Sequence, residues 1–153
     1  MIMIIFLDSG PLGILTKPRR TDEVEAALEW AKEMLAADHK FIVPSIADYE
    51  VRRELERAGK STGLLLLDQW NNADPDRYLP LSDRALRLAS KLWAQARRQG
   101  TPTAGPKELD GDVLIAAQAL DTGIPVSDFV IATVNVGHLT LSAPAKLWTD
   151  IKV

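Results

Sequence analysis

The chain lacks cysteine and is poor in histidine, which removes several kinds of chemistry at the outset. Its 153 residues include no cysteine and two histidines, His39 and His138, far apart in the sequence. Without thiols there is no disulfide, no thiolate nucleophile and no cysteine-ligated zinc site. Two scattered histidines do not make a histidine-rich metal site, so the acidic side chains remain as candidates for metal chemistry.

The chain also has no excess positive charge, few aromatic side chains and no long apolar runs. The formal net charge is −3 and aromatic residues make up 6% of the chain, which argues against coating nucleic acid by bulk charge but allows a local basic patch. The apolar runs Met1–Leu7 and Leu64–Leu67 are too short for a signal peptide or a membrane span. We therefore expect a cytoplasmic protein that does not associate with membranes.

What the chain does contain is typical of a globular α/β protein. It is 46% hydrophobic and 25% charged, and its length suits a single domain covering residues 1–153. Short apolar runs alternate with segments of helical periodicity, which indicates a parallel sheet covered by helices. We predict a three-layer α/β/α fold with a central, mostly parallel sheet. The predicted strands are 1–7, 41–43, 78–81, 124–126 and 129–132, and the predicted helices are 22–35, 46–58, 61–71, 83–99 and 110–120.

Small polar residues before the helical segments predict where the helices begin. Thr21 or Asp22, Ser45, and Ser82 or Asp83 are expected to cap three of them. For Asp110 we also prefer a capping role, because a carboxylate is favoured at a helix N-terminus.

Acidic side chains occur where a parallel sheet would gather them. Asp8 ends the first apolar run, and a carboxylate at the end of a central strand points into the crevice where such sheets bind ligands. Glu50 lies at the edge of the apolar face of its helix, an unusual place for a glutamate. Asp112 lies in the first turn of a later helix, and Asn135 follows the last strong strand. We expect these side chains to converge.

Converging carboxylates repel one another unless a cation lies among them. Mg²⁺ or Mn²⁺ takes oxygen ligands and keeps sites open for water and phosphate oxygens, and such ions promote phosphodiester cleavage. Each acid also has a plain structural interpretation: Asp8 as a cap, Glu50 as an amphipathic edge residue and Asp112 as a partner of the helix dipole.

Four segments together resemble a known family. They are Ile4–Gly10, Pro44–Val51, Asp112–Ala119 and Ile131–Leu139, each weak alone but in the expected order and spacing across nearly the whole chain. In these segments the sequence resembles PIN domains, and more narrowly the VapC-type toxin ribonucleases of toxin–antitoxin pairs.

The resemblance implies a metal-dependent endoribonuclease that uses Mg²⁺ or Mn²⁺. Its catalytic and metal-binding acids would be Asp8, Glu50 and Asp112, with Ser9 and Thr133 as neighbours that orient ligands or water. The family often has a fourth acid where this chain has Asn135. The amide oxygen can still bind a metal or position a water but adds no charge, which puts a second metal in doubt. Asp110 and Asp128 are candidates to compensate in part.

Substrate and partners also follow from the resemblance. RNA would be bound by local cations, of which the best candidates are Lys17, Arg19, Arg20 and Arg52, with Arg53 and Lys107 as further ones. The resemblance further implies a cognate antitoxin and a homodimer. The apolar segment Ser61–Trp70 is a candidate surface for either, or simply packs beneath a neighbouring helix.

Two other functions remain open at this point. Asn135 motivates a degenerate PIN domain that binds RNA or protein without catalysis. A phosphotransferase with Asp8 as nucleophile is disfavoured, because Ser9–Gly10–Pro11 lacks the second aspartate that such enzymes place beside the first.

Overall fold

The computed structural model describes residues 1–100, 110–137 and 139–153. The strands are β1 Ile4–Leu7, β2 Lys40–Pro44, β3 Tyr78–Leu79, β4 Phe129–Thr133 and β5 Ala145–Leu147. The α-helices are α1 Ser9–Leu15, α2 Asp22–Ala36, α3 Ser45–Arg57, α4 Ser61–Asn72, α5 Asp83–Arg98 and α6 Gly111–Asp121. Two 3-10 turns, Leu139–Leu141 and Trp148–Asp150, follow β4 and β5. No helix in these ranges is both long and apolar enough to cross a membrane.

All five strands run parallel, in the order β3-β2-β1-β4-β5. The central strand is β1, whose Ile5 pairs with Phe41 of β2 and Val130 of β4. Ile5, Phe6 and Leu7 have no exposed surface, because helices flank the sheet. The predicted α/β fold with a buried, parallel central strand is confirmed.

Three of the four predicted N-terminal helix caps are confirmed. The side chains of Thr21, Ser82 and Asp110 accept hydrogen bonds from the N–H groups of Val24, Ala85 and Val113. Each bond satisfies a donor that has no partner within its helix. The prediction for Ser45 was wrong: this residue is the first of α3, and the capping position is held by Pro44 without a side-chain bond.

Three further elements differ from the sequence prediction. Residues 124–126 are not a strand, because Pro125 has no N–H to donate to a sheet and its carbonyl instead accepts a turn bond from the Asp128 N–H. Helix α1 was missed, since its glycines and Pro11 suggest a break. Proline is nevertheless tolerated in the first turn of a helix, where its missing N–H costs nothing. Strand β5 was missed because it has three residues.

Gln118 joins the helix that carries Asp112 to the helix that carries Glu50. Its side chain is 2% exposed. The Gln118 Oε1 accepts from the Ile46 N–H at 3.3 Å, and its Nε2 donates to Ser45 Oγ at 3.3 Å and to the Leu79 carbonyl at 3.1 Å. A buried amide with satisfied partners fixes the relative position of the elements it bonds. The first turn of α3 is therefore held against α6 and β3.

Helix α4 uses only part of its leucine run for the core. Leu67 is fully buried and Leu65 is 56% exposed, while Leu64 and Leu66 are half-buried. This is the expected result for consecutive leucines on a helix, because one face packs inward and the next turns outward.

Candidate active site at the carboxyl ends of the strands

Asp8 lies directly after the central strand, and both oxygens of its side chain are engaged. The Ser9 N–H donates to Asp8 Oδ1 at 2.8 Å, so Asp8 caps α1. The buried hydroxyl of Thr133, at the end of the neighbouring strand β4, donates to Asp8 Oδ2 at 2.7 Å. Asp8 thus serves as a cap and also faces the edge where ligands bind in parallel sheets.

A close approach between α1 and the segment after β4 keeps this arrangement together. A Cβ atom on Gly10 would lie 2.6 Å from the Val134 side chain. No larger residue fits there without a shift, so glycine at position 10 allows α1 to pack against the residue that follows Thr133. Ser9 is half-buried in the first turn of the same helix.

Glu50 reaches from α3 to the start of α6. A Cβ atom on Gly111 would lie 2.8 Å from Glu50 Oε2, so the carboxylate lies over the first turn of α6 in space that only glycine leaves open. No ion pair to Glu50 occurs among the described residues.

The surroundings of Glu50 disfavour its charge. Burial raises the pKa of its carboxyl above the ordinary value of 4.5, and the carboxylate of Asp8 raises it further. The negative charges of Asp112 and Asp110 act in the same direction, while the Arg53 guanidinium opposes the shift. The three aspartates therefore lie within electrostatic range of the Glu50 carboxylate.

Asp112 and Asn135 meet beside Gly137. The position that a Cβ atom would take on Gly137 lies 3.7 Å from both Asp112 Oδ2 and Asn135 Oδ1. Asn135 Oδ1 also accepts from the Gly137 N–H at 3.0 Å. Gly137 has a φ of +42°, which favours glycine over other residues. The amide that replaces the expected acid is therefore part of this edge.

Of the two acids considered as compensation for Asn135, one lies beside the site and the other does not. Asp110 is 8% exposed, and its Oδ2 has no hydrogen-bond partner among the described residues. Its charge acts on Glu50. Asp128 precedes β4 and its carbonyl accepts from the Ile4 N–H. It therefore lies at the amino ends of the parallel strands, opposite Asp8, and cannot contribute to the same ion.

The donor chemistry at this edge fits a hard divalent cation. The side chains are carboxylates and one amide, the oxygen ligands of Mg²⁺ and Mn²⁺. Within the described part of the chain, Asp110 Oδ2 has no hydrogen-bond partner and Glu50 has no ion pair. The described residues contain no group of three or more carboxylates or histidines already close enough to hold a metal. Asp8, Asp110 and Asp112 act on the charge of Glu50, but these acids form no closed metal-binding group in the described ranges.

The cations expected near this site fall into two groups. Lys17 and Arg19 are exposed in the loop that follows α1, and neither has an ion pair among the described residues. Arg20 is paired with Glu25 at 2.6 Å. Arg52 bonds Asp48 and Asp68, which favours a structural role. Lys107 and His138 lie outside the described residues.

Sequence reasoning missed the buried acid on α3. Asp48 is 6% exposed and accepts from both Arg52 and Asn71. The pairing of Asp48 with Arg52 could have been found from their spacing, since residues four apart share a helix face. The contact with Asn71 depends on how α4 packs.

Comparison with solved structures assigns the fold to the PIN-domain class. No family model matches the sequence, and no curated protein sequence matches it significantly. The matched chains are PIN toxins of VapBC and FitAB toxin–antitoxin complexes.

Three of these structures cover almost the full length of both chains. FitAcB from Neisseria gonorrhoeae has a TM-score of 0.67 and 16% identity, over 96% of this chain and 99% of the other. VapBC2 from Rickettsia felis, in a structure with a DNA fragment from its own promoter, has a TM-score of 0.68 and 18% identity. The match covers 95% of this chain and 99% of the other. DNA-bound VapBC from Salmonella typhimurium has a TM-score of 0.67 and 20% identity. The match covers 97% of this chain and 99% of the other. TM-scores of this size over nearly the full length of both chains establish the shared fold.

Proposed function

We propose that this protein is a Mg²⁺- or Mn²⁺-dependent endoribonuclease and the toxin component of a type II toxin–antitoxin pair. The observation that carries the proposal is the position of the Glu50 carboxylate over the first turn of α6, where burial, and then the charges of Asp8 and Asp112, raise its pKa. These acids come from elements distant in sequence, and Glu50 forms no ion pair among the described residues. The shared fold with toxin chains supports the same conclusion.

Asp8, Glu50 and Asp112 would hold the metal, which supplies Lewis acidity toward a phosphoryl oxygen when bound. Thr133 and the Ser9 N–H keep the Asp8 carboxylate in one orientation. Glu50, with its raised pKa, is suited to take a proton from the water that attacks the phosphodiester. The bond from phosphorus to the leaving oxygen then breaks, and the proton that Glu50 took from the water is returned to that oxygen.

Partners are part of the same proposal. The matched structures include complexes bound to DNA, and we propose that this chain likewise pairs with a cognate antitoxin and forms a homodimer. The exposed side of α4 around Leu65 is the candidate surface. A polyhistidine-tagged chain co-expressed with the short reading frame beside its gene should retain that product on a nickel column.

Cleavage of bulk RNA with and without Mn²⁺ tests the enzymatic part. Asp8→Asn and Asp112→Asn should each lower the cleavage rate by more than about a hundredfold, since even residues that only orient metal ligands cost about 10–100-fold. Asparagine can still cap α1, so circular dichroism should show an unchanged fold. Asp128→Asn, at the opposite end of the sheet, is the matched control and should cleave at the wild-type rate.

Calorimetry with Mn²⁺ gives a readout that does not depend on cleavage. Wild-type protein should bind Mn²⁺ and gain thermal stability, because a ligand of the native state stabilises it by mass action. The Asp112→Asn variant should lose most of this gain. Full cleavage in EDTA, or by both asparagine variants, would refute the nuclease assignment.

A second candidate function is a degenerate PIN domain that binds RNA or protein without cleavage. Asn135 favours it, because the amide lies beside Asp112 where a further charge would help to hold a metal. Under this alternative, wild-type protein binds no Mn²⁺ at millimolar concentration, and Asn135→Asp restores binding. Under the nuclease proposal, wild-type protein already binds the ion and Asn135→Asp tightens binding by about tenfold.

A further inference from the structure

Two clefts join into one groove that begins at the acidic site. The first, of about 470 Å³, is lined by Ser9 and Glu50 at one end and by Lys60 at the other. The second, of about 620 Å³, continues past Lys60 to Gly63 in the first turn of α4. Both clefts share Lys17, Pro18, Leu55 and Lys60 as lining residues. We refer to these two clefts together as the α3–α4 groove.

The groove is cationic although the whole chain is acidic. Lys17, Arg19, Arg53 and Lys60 line it, and none of them forms an ion pair with another described residue. Arg57 also lines the groove, but Glu54 neutralises it at 2.8 Å. Beyond that pair, the acid that lines the groove is Glu50, at the end next to the candidate active site. Positive charge therefore increases with distance from the site.

The floor of the groove is rigid and fixes where Lys60 lies. Gly59 has a φ of +65°, which turns the chain sharply between α3 and α4. The Lys60 N–H donates to the Leu55 carbonyl at 2.9 Å. A Cβ atom on Gly63 would lie 2.7 Å from the Leu55 side chain, so α4 packs directly on that leucine. Lys60 is held at the junction of both clefts, and no side chain caps α4 there.

We propose that the α3–α4 groove binds the phosphates of the RNA strand on one side of the scissile bond, with Lys17 and Lys60 as the main contacts. The inference rests on the proposed function, because it gives the strand that is cut at the acidic edge a path away from it. A polyanion suits a line of unpaired cations, each of which releases counterions when it contacts a phosphate. No aromatic side chain lines the groove in the described part of the chain, so the contacts read the backbone and not the base sequence.

An RNA-binding titration in EDTA tests the groove without cleavage. The probe is a fluorescein-labelled, 20-nucleotide single-stranded RNA of mixed sequence, and fluorescence anisotropy is followed at several KCl concentrations. Lys17→Ala and Lys60→Ala should each weaken binding and lower the slope of log Kd against log salt by about 0.7, the value for one phosphate on a single strand. Two RNAs of different sequence should lose affinity equally.

Exposed lysines on other helices provide matched controls. Lys32→Ala on α2 and Lys91→Ala on α5 remove the same charge from residues that do not line the groove, and should leave the salt slope unchanged. Unchanged slopes for both groove variants, or equal losses for groove and control variants, would overturn the proposal. A glutamate oligomer that outcompetes RNA of equal charge, and depends on Lys60, would instead make the groove a site for an acidic peptide.

The outcome can be separated from that of the nuclease proposal. If wild-type protein cleaves RNA with Mn²⁺ but Lys60→Ala changes neither KM nor the salt slope, the groove assignment fails and the nuclease stands. If no RNA is cleaved while both groove variants lower the slope, the nuclease fails and the groove remains an RNA-binding site. If both proposals hold, Lys60→Ala should raise the KM for RNA cleavage and leave kcat unchanged.

Discussion

Helix α3 carries two acids two residues apart that the fold treats in opposite ways. Asp48 is buried, and its two oxygens receive the Arg52 guanidinium at 3.0 Å and the Asn71 amide at 2.8 Å. Glu50 lies over α6 with raised pKa and without an ion pair among the described residues. The charge of Asp48 is balanced within the protein, whereas Glu50 has no such partner in the described part of the chain.

This difference shows how a charged side chain that stabilises the fold can be distinguished from one that serves a function. A buried carboxylate that is paired and hydrogen-bonded holds its neighbours in place, and breaking the pair is costly. A carboxylate that neighbouring acids repel contributes nothing favourable to the fold alone, so its arrangement suggests a function. The two cases can be distinguished by measurement.

The largest expected effect is a difference in the free energy of unfolding between a variant of Asp48 and a variant of Glu50. Asp48→Ala should lower the free energy of unfolding by about 3 kcal/mol, because Arg52 and Asn71 lose a buried partner. Glu50→Ala should stay within about 0.5 kcal/mol of the wild type or exceed it in metal-free protein, since it removes a repelled charge. Urea denaturation in EDTA measures both values. Equal losses in the two variants would mean that Glu50 is also structural.

A smaller effect concerns the space that Glu50 occupies. Gly111→Ala places a methyl group 2.8 Å from Glu50 Oε2, so the carboxylate must move while the helix itself tolerates alanine. We expect Mn²⁺ affinity to fall about tenfold with stability unchanged or slightly raised, as measured by calorimetry and thermal melts.

Gly13→Ala is the control for this substitution. Its methyl group would meet Val51 at an ordinary 3.8 Å, so stability should rise by up to about 1 kcal/mol with Mn²⁺ affinity unchanged. Unaltered affinity in Gly111→Ala would show that the position of Glu50 over α6 does not matter for the metal.

The smallest effect is a pH dependence that Glu50 should show and a neutral substitute should not. Its folded-state pKa is raised above the ordinary 4.5 by burial and by Asp8. The folded protein therefore binds a proton that the unfolded chain releases at the same pH. The contribution of Glu50 to stability is complete below the ordinary pKa and is lost as pH rises through the folded-state pKa.

Thermal melts in EDTA from about pH 4 to about pH 8 check this dependence. The wild type should lose stability relative to Glu50→Gln as pH rises, and added Mn²⁺ should reverse the trend by favouring the ionised carboxylate. Parallel curves for the two proteins would contradict the environment assigned to Glu50.

Local sequence patterns were sufficient to predict much of the fold. The apolar run before Asp8 predicted the buried central strand, and small polar residues predicted the starts of α2, α5 and α6, because caps and periodicity act within a few residues. Local signals failed where packing decides the outcome. Glycines and Pro11 hid α1, and an apolar stretch around Pro125 suggested a strand that the missing N–H prevents.

The sequence by itself determined which chemical groups the site can contain: oxygen donors, no thiols, and an amide at position 135. It also placed Asp8 at a strand end and Asp112 at a helix start. Only the tertiary structure decided that Glu50 turns toward α6 while Asp48 meets Asn71 of α4, that Asp110 lies beside the acids, and that Asp128 lies at the opposite end. Those outcomes depend on the packing of helices distant in sequence, whose contacts arise only when the sheet has brought them together.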